Sequence, residues 1–339
     1  MNSVLRLSFE ERVTIFRNTA QKMGVHEAII EKDYWVCFVL DYLFNKSQFR
    51  DSLTFKGGTS LSKCFGLINR FSEDIDLILD WRLLDYGQEE PWLERTKNQQ
   101  DKFNKNADLR AESFLVNKFL PVFRSDLSEM IGAEVMAEID SDNAQTINFH
   151  YPRVFSTESI LQEIRLEIGA LAAWTPAIRK SVTPYIFEYY PHLSTYISAE
   201  IITSTVERTF WEKVTILHHE ANRPEDTAMP MRYSRHYYDL YSIGQSDYKV
   251  SALKQLNLLQ KVVLFKMKFY PRAWAKYEEA VPGSIKLLPP AFRIQALQND
   301  YTSMAEMLFA EYPSFDALME SIEKLENEIN QLFPVPKVI

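Results

Sequence analysis

Cysteine is almost missing from this chain. Its 339 residues include only Cys37 and Cys64, each within an apolar stretch. Two such residues build no disulfide framework, and nothing around them has zinc-ligand spacing, so both read as small core residues. Long apolar runs are missing too. A run such as Val36 to Leu40 falls far short of the ~20 residues that span a bilayer. The N-terminus lacks a basic segment followed by an apolar core, so no secretory signal is visible. These absences lead to the expectation of a soluble, cytoplasmic protein with no membrane partner. An excess of positive charge is also lacking: the formal net charge is −8. That excludes a chain that is basic all over, though not a local basic surface. What is present is apolar content of 46%, ample for a packed core and incompatible with a disordered chain. The length allows two modest domains, and there is no internal repeat or low-complexity linker.

Positive charge is concentrated in one place. Between Lys249 and Tyr277 stand Lys249, Lys254, Lys261, Lys266, Lys268, Arg272 and Lys276, with no Asp or Glu. Such a block is either a solvated helix face or a surface for a phosphate backbone.

The most informative segment is Lys56-Gly57-Gly58-Thr59-Ser60, followed by Arg70-Phe71-Ser72-Glu73-Asp74-Ile75-Asp76-Leu77. A strand ends near Phe55. The two glycines allow a tight turn and a close approach to a ligand. A helix over 59–65, stopped by Gly66, presents free N–H groups and a positive dipole end suited to phosphate. Asp74 and Asp76 lie two apart in a run with strand character, so they share one face. Two juxtaposed carboxylates repel unless a cation sits between them, and hard oxygen ligands favour Mg²⁺. A phosphate cradle followed by such a pair is the hardware of phosphoryl or nucleotidyl transfer.

This order of parts resembles the nucleotidyltransferase fold of DNA polymerase β type: Gly-Gly/Ser, a short helix, then Asp-x-Asp on the next strand. The string FKGGTSLSKCFGLINRFSEDIDLIL, with Glu31-Lys32-Asp33-Tyr34-Trp35-Val36 upstream, is similar to the AbiEii/AbiGii-type nucleotidyltransferase toxins of type IV toxin–antitoxin systems. The resemblance implies an α+β fold: a polymerase β-like domain with a small mixed sheet, then an all-α helical domain. It implies Mg²⁺-dependent transfer of a nucleoside monophosphate from an NTP to an acceptor hydroxyl. RNA, with the tRNA 3′ end first in line, is the implied acceptor. The implied biology is a phage-defence toxin checked by a cognate antitoxin. Lys56, Gly57, Gly58, Thr59, Ser60, Arg70 and Ser72 would contact the nucleotide, and Asp74 and Asp76 would hold metal.

Three further positions follow. Enzymes of this broad fold place a third carboxylate on a neighbouring strand. In Leu161-Gln162-Glu163-Ile164-Arg165-Leu166-Glu167-Ile168, Glu167 is the candidate catalytic and metal residue, with Glu163 its rival. The other reading is a strand of alternating charges that pair across its face. Within Glu207-Arg208-Thr209-Phe210-Trp211-Glu212-Lys213, Lys213 maps onto a family lysine that would offset triphosphate charge. Asp239, in Arg232-Tyr233-Ser234-Arg235-His236-Tyr237-Tyr238-Asp239-Leu240, matches the second acid of a family Arg-Asp-x-x-Asp-Leu element, where it would orient Lys213 or act on the incoming hydroxyl. The first acid is replaced by His236. Two rivals stand beside this reading: a non-catalytic nucleotide- or protein-binding module on the same fold, and transfer to a protein or small molecule. His218 and His219, adjacent on a helix, point about 100° apart and read as structural rather than chelating.

Local patterns predict the remaining elements. Ser8 and Glu11 form a capping box for a helix over 9–23 ended by Gly24. A helix follows over 27–44. Residues 85–106 read as a loop or polar helix, and 108–139 as two helical segments broken near Pro121 and Gly132. Strands are expected over 146–151, 161–168, 183–190 and 196–203. Helices are expected over 206–221, 233–244, 249–269, 291–310 and 313–332. The change near residue 204 suggests domains over 1–204 and 205–339.

Overall fold

A computed structural model describes residues 2–70, 72, 74–157, 160–170, 176–194, 199–304, 308 and 312–332. The chain divides into two compact units. One comprises 1–64 and 71–204; the other comprises 65–70 and 205–339.

The first unit opens with a short helix α1 (Asn2–Leu5) and α2 (Phe9–Met23). Both halves of the Ser8/Glu11 capping box are formed, and Gly24 ends α2 in the left-handed conformation. Helix α3 (Glu27–Asp41) continues as a π turn through Lys46. Then come β1 (Leu53–Lys56), α4 (Gly57–Lys63) and β2 (Asp74–Leu79). Next are α5 (Lys97–Phe114), α6 (Leu120–Ile131), β3 (Met136–Ile139) and β4 (Thr146–His150). The unit closes with β5 (Ile164–Gly169), β6 (Ala177–Val182), α7 (Ile186–Tyr189) and β7 (Ala199–Ser204).

The seven strands form one mixed sheet in the order β3-β4-β5-β2-β1-β7-β6. β1 runs antiparallel to β2 and parallel to β7, while β2 runs parallel to β5. Alternation divides the sheet's two faces. Phe55, Ile75, Leu77, Ile147, Phe149, Ile164, Leu166 and Ile168 are at most 1% exposed and form the core face. Trp35 of α3 packs edge-on to Phe149 at 6.3 Å between centroids, as Phe123 of α6 does at 5.8 Å. Residues 74, 76, 165 and 167 stand on the opposite face, each half-buried.

The second unit is helical among its described residues: α8 (Val206–Ala221), α9 (Ser234–Gly244), α10 (Asp247–Leu253), α11 (Leu256–Phe269), α12 (Ile294–Ser303) and α13 (Phe315–Asn330). The chain is thus α+β, with a mixed sheet of seven strands followed by helices, as the sequence implies.

Several local expectations need correction. Pro121 does not break the helix. A π turn over Leu115–Phe119 widens the ladder just before it, and Pro121 falls in the first turn of α6, where its missing N–H has no helical partner to lose. Residues 133–139 are not helical: Gly132 stops α6 at φ +77°, and β3 pairs antiparallel with β4. The stretch 183–190 is not a strand; it holds α7, and β6 lies earlier, over Ala177–Val182. The stretch 249–269 is two helices, separated at Lys254 and Gln255. Residues 85–106 are, as expected, loop and then polar helix: a 3₁₀ turn at Glu90–Trp92 precedes Thr96, which with Gln99 forms the capping box that starts α5. The first three positions of the strand expected over 196–203, and most of 305–310, lie outside the described residues.

Candidate active site

Strand register builds the acidic site of the first unit. In β2, Asp74 and Asp76 share a face. Parallel pairing places Asp76 opposite Glu167 and Asp74 opposite Arg165 on β5. Lys56, at the end of β1, is opposite Asp76, and Thr146 of β4 is opposite Glu167. One rung of the sheet therefore reads Lys56, Asp76, Glu167, Thr146, all directed to the same side. Burial, followed by the negative charges of Asp76 and Asp74, pushes the Glu167 carboxyl up to about 7. Glu163 precedes β5 and lies 3.7 Å from His150. The geometry thus brings Glu167 beside the aspartates and leaves Glu163 with His150.

The glycine turn lies directly against this rung. Lys56 has extended dihedrals (φ −151°, ψ −171°), Gly57 has φ +83°, and α4 begins at Gly57 itself. A Cβ at position 57 would reach 2.7 Å from Asp76 Cγ and come nearer still to Oδ2. Gly58, Thr59 and Ser60 are buried. The Thr59 hydroxyl donates to the Asp74 carbonyl at 2.6 Å, and the Ser60 hydroxyl to the Gly57 carbonyl at 3.0 Å. Both protons are therefore spent on shaping the turn, which leaves backbone N–H groups as the donors available to an anion. Ser72 is half-buried, and its neighbours 71 and 73 lie outside the described residues.

Among the described residues, no three His, Cys, Asp or Glu side chains are gathered closely enough to hold a metal ion as they stand. The donor set nevertheless fits a hard divalent cation. Three carboxylates sit on adjacent strands, and Glu167 feels the repulsion that a cation would relieve.

A second constellation lies wholly within the helical unit. Asp239 is fully buried and takes a bidentate pair from Arg70: Nε to Oδ1 at 2.7 Å and an η nitrogen to Oδ2 at 2.9 Å. Lys213 Nζ lies 2.8 Å from Asp239 Oδ2 and 3.0 Å from His236 Nδ1. Burial works against the Asp239 charge, but Arg70 and then Lys213 hold its carboxyl well below the usual carboxylate range. Burial and the neighbouring Lys213 keep His236 neutral. An ammonium has only protons to give, so His236 accepts at Nδ1 and carries its own proton on Nε2. Asp239 thus orients Lys213 and has no exposed surface for an incoming hydroxyl. Arg70 commits two nitrogens to Asp239, a role its local sequence gave no sign of.

The basic stretch is partly neutralised at its ends. Lys249 pairs with Glu328 of α13 at 2.9 Å, and Lys276 with Glu279 at 3.6 Å. His218 accepts from the Lys286 N–H and His219 lies against Trp274 and Tyr277; among the described residues neither belongs to a group of three metal-ligating side chains.

An α+β chain with a glycine turn abutting paired carboxylates belongs to the class of phosphoryl- and nucleotidyl-transferring proteins. The comparison with known families is narrower. The model described as "Nucleotidyl transferase AbiEii toxin, Type IV TA system" matches residues 39–321, and the chain belongs to this family of nucleotidyltransferase toxins. The match extends well beyond residue 241, where the recognisable motifs end. Among solved structures, the chain is similar to MenT4, a nucleotidyltransferase toxin from Mycobacterium tuberculosis, with 14% identity, TM-score 0.47, and coverage of 93% of this chain and 99% of that one. It is also similar to JHP933 from Helicobacter pylori, with 13% identity, TM-score 0.43, and coverage of 90% and 95%. No curated protein sequence matches it. Among the described residues no helix is long and apolar enough to cross a membrane.

Proposed function

We propose that this toxin transfers a nucleoside monophosphate from an NTP to a hydroxyl on RNA, with the tRNA 3′ end the first acceptor to test. The observation that carries the reading is the single rung joining Asp76 to Glu167, with Asp74 beside it and the Gly57 backbone pressed against Asp76. Asp74, Asp76 and Glu167 would hold Mg²⁺, which when bound supplies charge stabilisation at the transferring phosphate. The N–H groups of the Gly57–Ser60 turn would receive phosphate oxygens, with Lys56 on the same rung as a local cation. Lys213, fixed by Asp239, and Arg70 are proposed cations for the nucleotide. Ser72 is retained as a proposed nucleotide contact. Cytoplasmic residence, control by an antitoxin and a part in phage defence complete the reading.

The test is incubation with each α-labelled NTP, Mg²⁺ and total RNA, followed by a denaturing gel. Label in bands of tRNA size, lost with a chelator and lost in Asp76→Asn, is the expected result. Label on protein or on a small molecule would redirect the acceptor. No label with any NTP, from folded protein, would overturn the reading.

A further inference from the structure

Three consecutive charged residues, Glu31, Lys32 and Asp33, are 0%, 0% and 3% exposed in the middle of α3. Burying charge is costly unless every charge is matched. Here each is matched to a different stretch of chain. Successive helix positions point about 100° apart, so three adjacent side chains can reach in three directions. Glu31 accepts from the backbone N–H of Val154 at 2.7 Å and of Phe155 at 2.9 Å. Lys32 Nζ donates to the Leu161 carbonyl at 2.8 Å. Asp33 Oδ1 receives Lys63 Nζ at 2.6 Å, and its Oδ2 receives the Tyr185 N–H at 2.8 Å.

All three residues hold chain that leads into the acidic site. Lys63 is the last residue of α4, whose first residue is Gly57. Its side chain is almost enclosed, 7% exposed, and its ammonium stands 3.8 Å from the Tyr185 ring centroid. Val154, Phe155 and Leu161 belong to the segment that enters β5 at Ile164, and β5 carries Glu167. A helix of seven residues has little rigidity of its own. α4 is instead pinned from outside: at its start by the contact of Gly57 with Asp76, in its middle by Thr59 on the Asp74 carbonyl, and at its end by Lys63 on Asp33.

We infer that Glu31-Lys32-Asp33 is a positioning element of the transferase site, with Asp33, acting through Lys63, setting the glycine turn for the nucleotide, and Glu31 and Lys32 setting the approach to Glu167. None of the three touches substrate in this arrangement. The inference rests on the nucleotidyl-transfer reading and makes a separable claim. An ordinary structural pair would lower stability and leave nucleotide affinity alone. A positioning pair changes the geometry of the turn and hence nucleotide binding in protein that is still folded.

The test compares Asp33→Asn, Lys63→Met, Lys63→Arg and the double variant Asp33→Asn/Lys63→Met. Two readouts are taken at a temperature where all are folded: the melting shift produced by Mg²⁺ with an NTP, and KM against kcat for label transfer. Asp33→Asn and Lys63→Met should raise the KM for NTP by about tenfold to a hundredfold, the range for a displaced binding group. Lys63→Arg, which keeps the charge, should stay near wild type. The double variant should lose less than the sum of the two singles. Single variants whose melting point falls while the NTP-induced shift and KM stay within about twofold would overturn the inference, because so small a change leaves the turn's geometry intact. A wild type with no NTP-induced shift would instead count against the transferase reading.

Discussion

The backbone of Gly57 lies against the carboxyl group of Asp76 so closely that a side chain at 57 would overlap it. This contact joins the phosphate-binding turn to the acidic rung, and it explains the glycine twice over. The position has φ +83° and no room for a Cβ. Gly57→Ala should therefore lower stability by about 1–3 kcal/mol through backbone strain, and should also push Asp76 out of register with Glu167. The expected result in folded protein is loss of both label transfer and the NTP-induced melting shift. A Gly57→Ala variant that retains full transfer would show that the turn does not set the acid pair.

The fully buried Asp239 offers a different kind of prediction. Arg70 and Lys213 both pair with it. Removing one partner of a buried charge cluster strands the others, at a cost of about 3–5 kcal/mol. Asp239→Ala should show this loss in a denaturant titration, whereas Arg235→Ala, at a half-buried position of the same helix, should change stability little. A loss below about 1 kcal/mol for Asp239→Ala would place the site in the range of surface pairs and undo its role as the anchor of Lys213.

Glu31 supplies a pH dependence whose sign can be worked out. Burial raises its carboxyl to about 7, against the opposing pull of the Phe155 and Val154 N–H groups and of Arg12 and Arg153. Its folded value lies above its unfolded one. The folded state therefore holds a proton that the unfolded chain has released, from about pH 7 down to the usual glutamate range. Glu31 costs most stability at high pH, and that cost is relieved as pH falls. Compared with Glu31→Gln, which has no such proton, wild-type stability should improve by about 2 kcal/mol between about pH 8 and about pH 5. The comparison cancels the other titrating groups, including His218, His219 and His236, that are common to both proteins. A difference that stays flat with pH would mean that Glu31 titrates like an exposed carboxylate.

Much of the acidic site was legible because it depends on local rules. A period of two puts Asp74 and Asp76 on one face whatever the rest of the chain does, and adjacent glycines announce a turn. Glu167 is preferred to Glu163 at the level of sequence, but the β2–β5 register that sets it opposite Asp76 is not contained in the one-dimensional pattern. The pairing of Arg70 with Asp239 spans 169 positions, and no spacing rule reaches that far. The segment that carries β3 misled for another reason. Glu134-Val135-Met136-Ala137-Glu138-Ile139 is built largely from good helix formers, and pairing with β4 overrides that preference. Hydropathy fails most completely at Glu31-Lys32-Asp33. Three charges in a row read as a solvent face, and only the distant groups they meet reveal them as interior.

The basic stretch leads to the last prediction. Its seven cations are not equivalent. Lys249 and Lys276 pair with acids near the ends of the stretch; Lys261, Lys266 and Lys268 lie on α11, with Lys261 exposed and the other two half-buried. Positions 261 and 268 are seven apart and align along the helix, while 266 lies to one side. If this face meets an RNA backbone, charge reversal at all three should weaken RNA binding. It should also reduce the log–log salt slope by about one unit for each phosphate that is no longer neutralised. The 261/268 pair should account for most of the effect, so the single reversal at Lys266 should be the mildest. The melting shift produced by NTP and Mg²⁺ should be unchanged, because the proposed phosphate turn belongs to Gly57–Ser60. RNA affinity measured at several salt concentrations decides the matter. An unaltered affinity and slope in the triple variant would identify α11 as a solvated face and turn the search for the acceptor surface to the strands around Asp74 and Glu167.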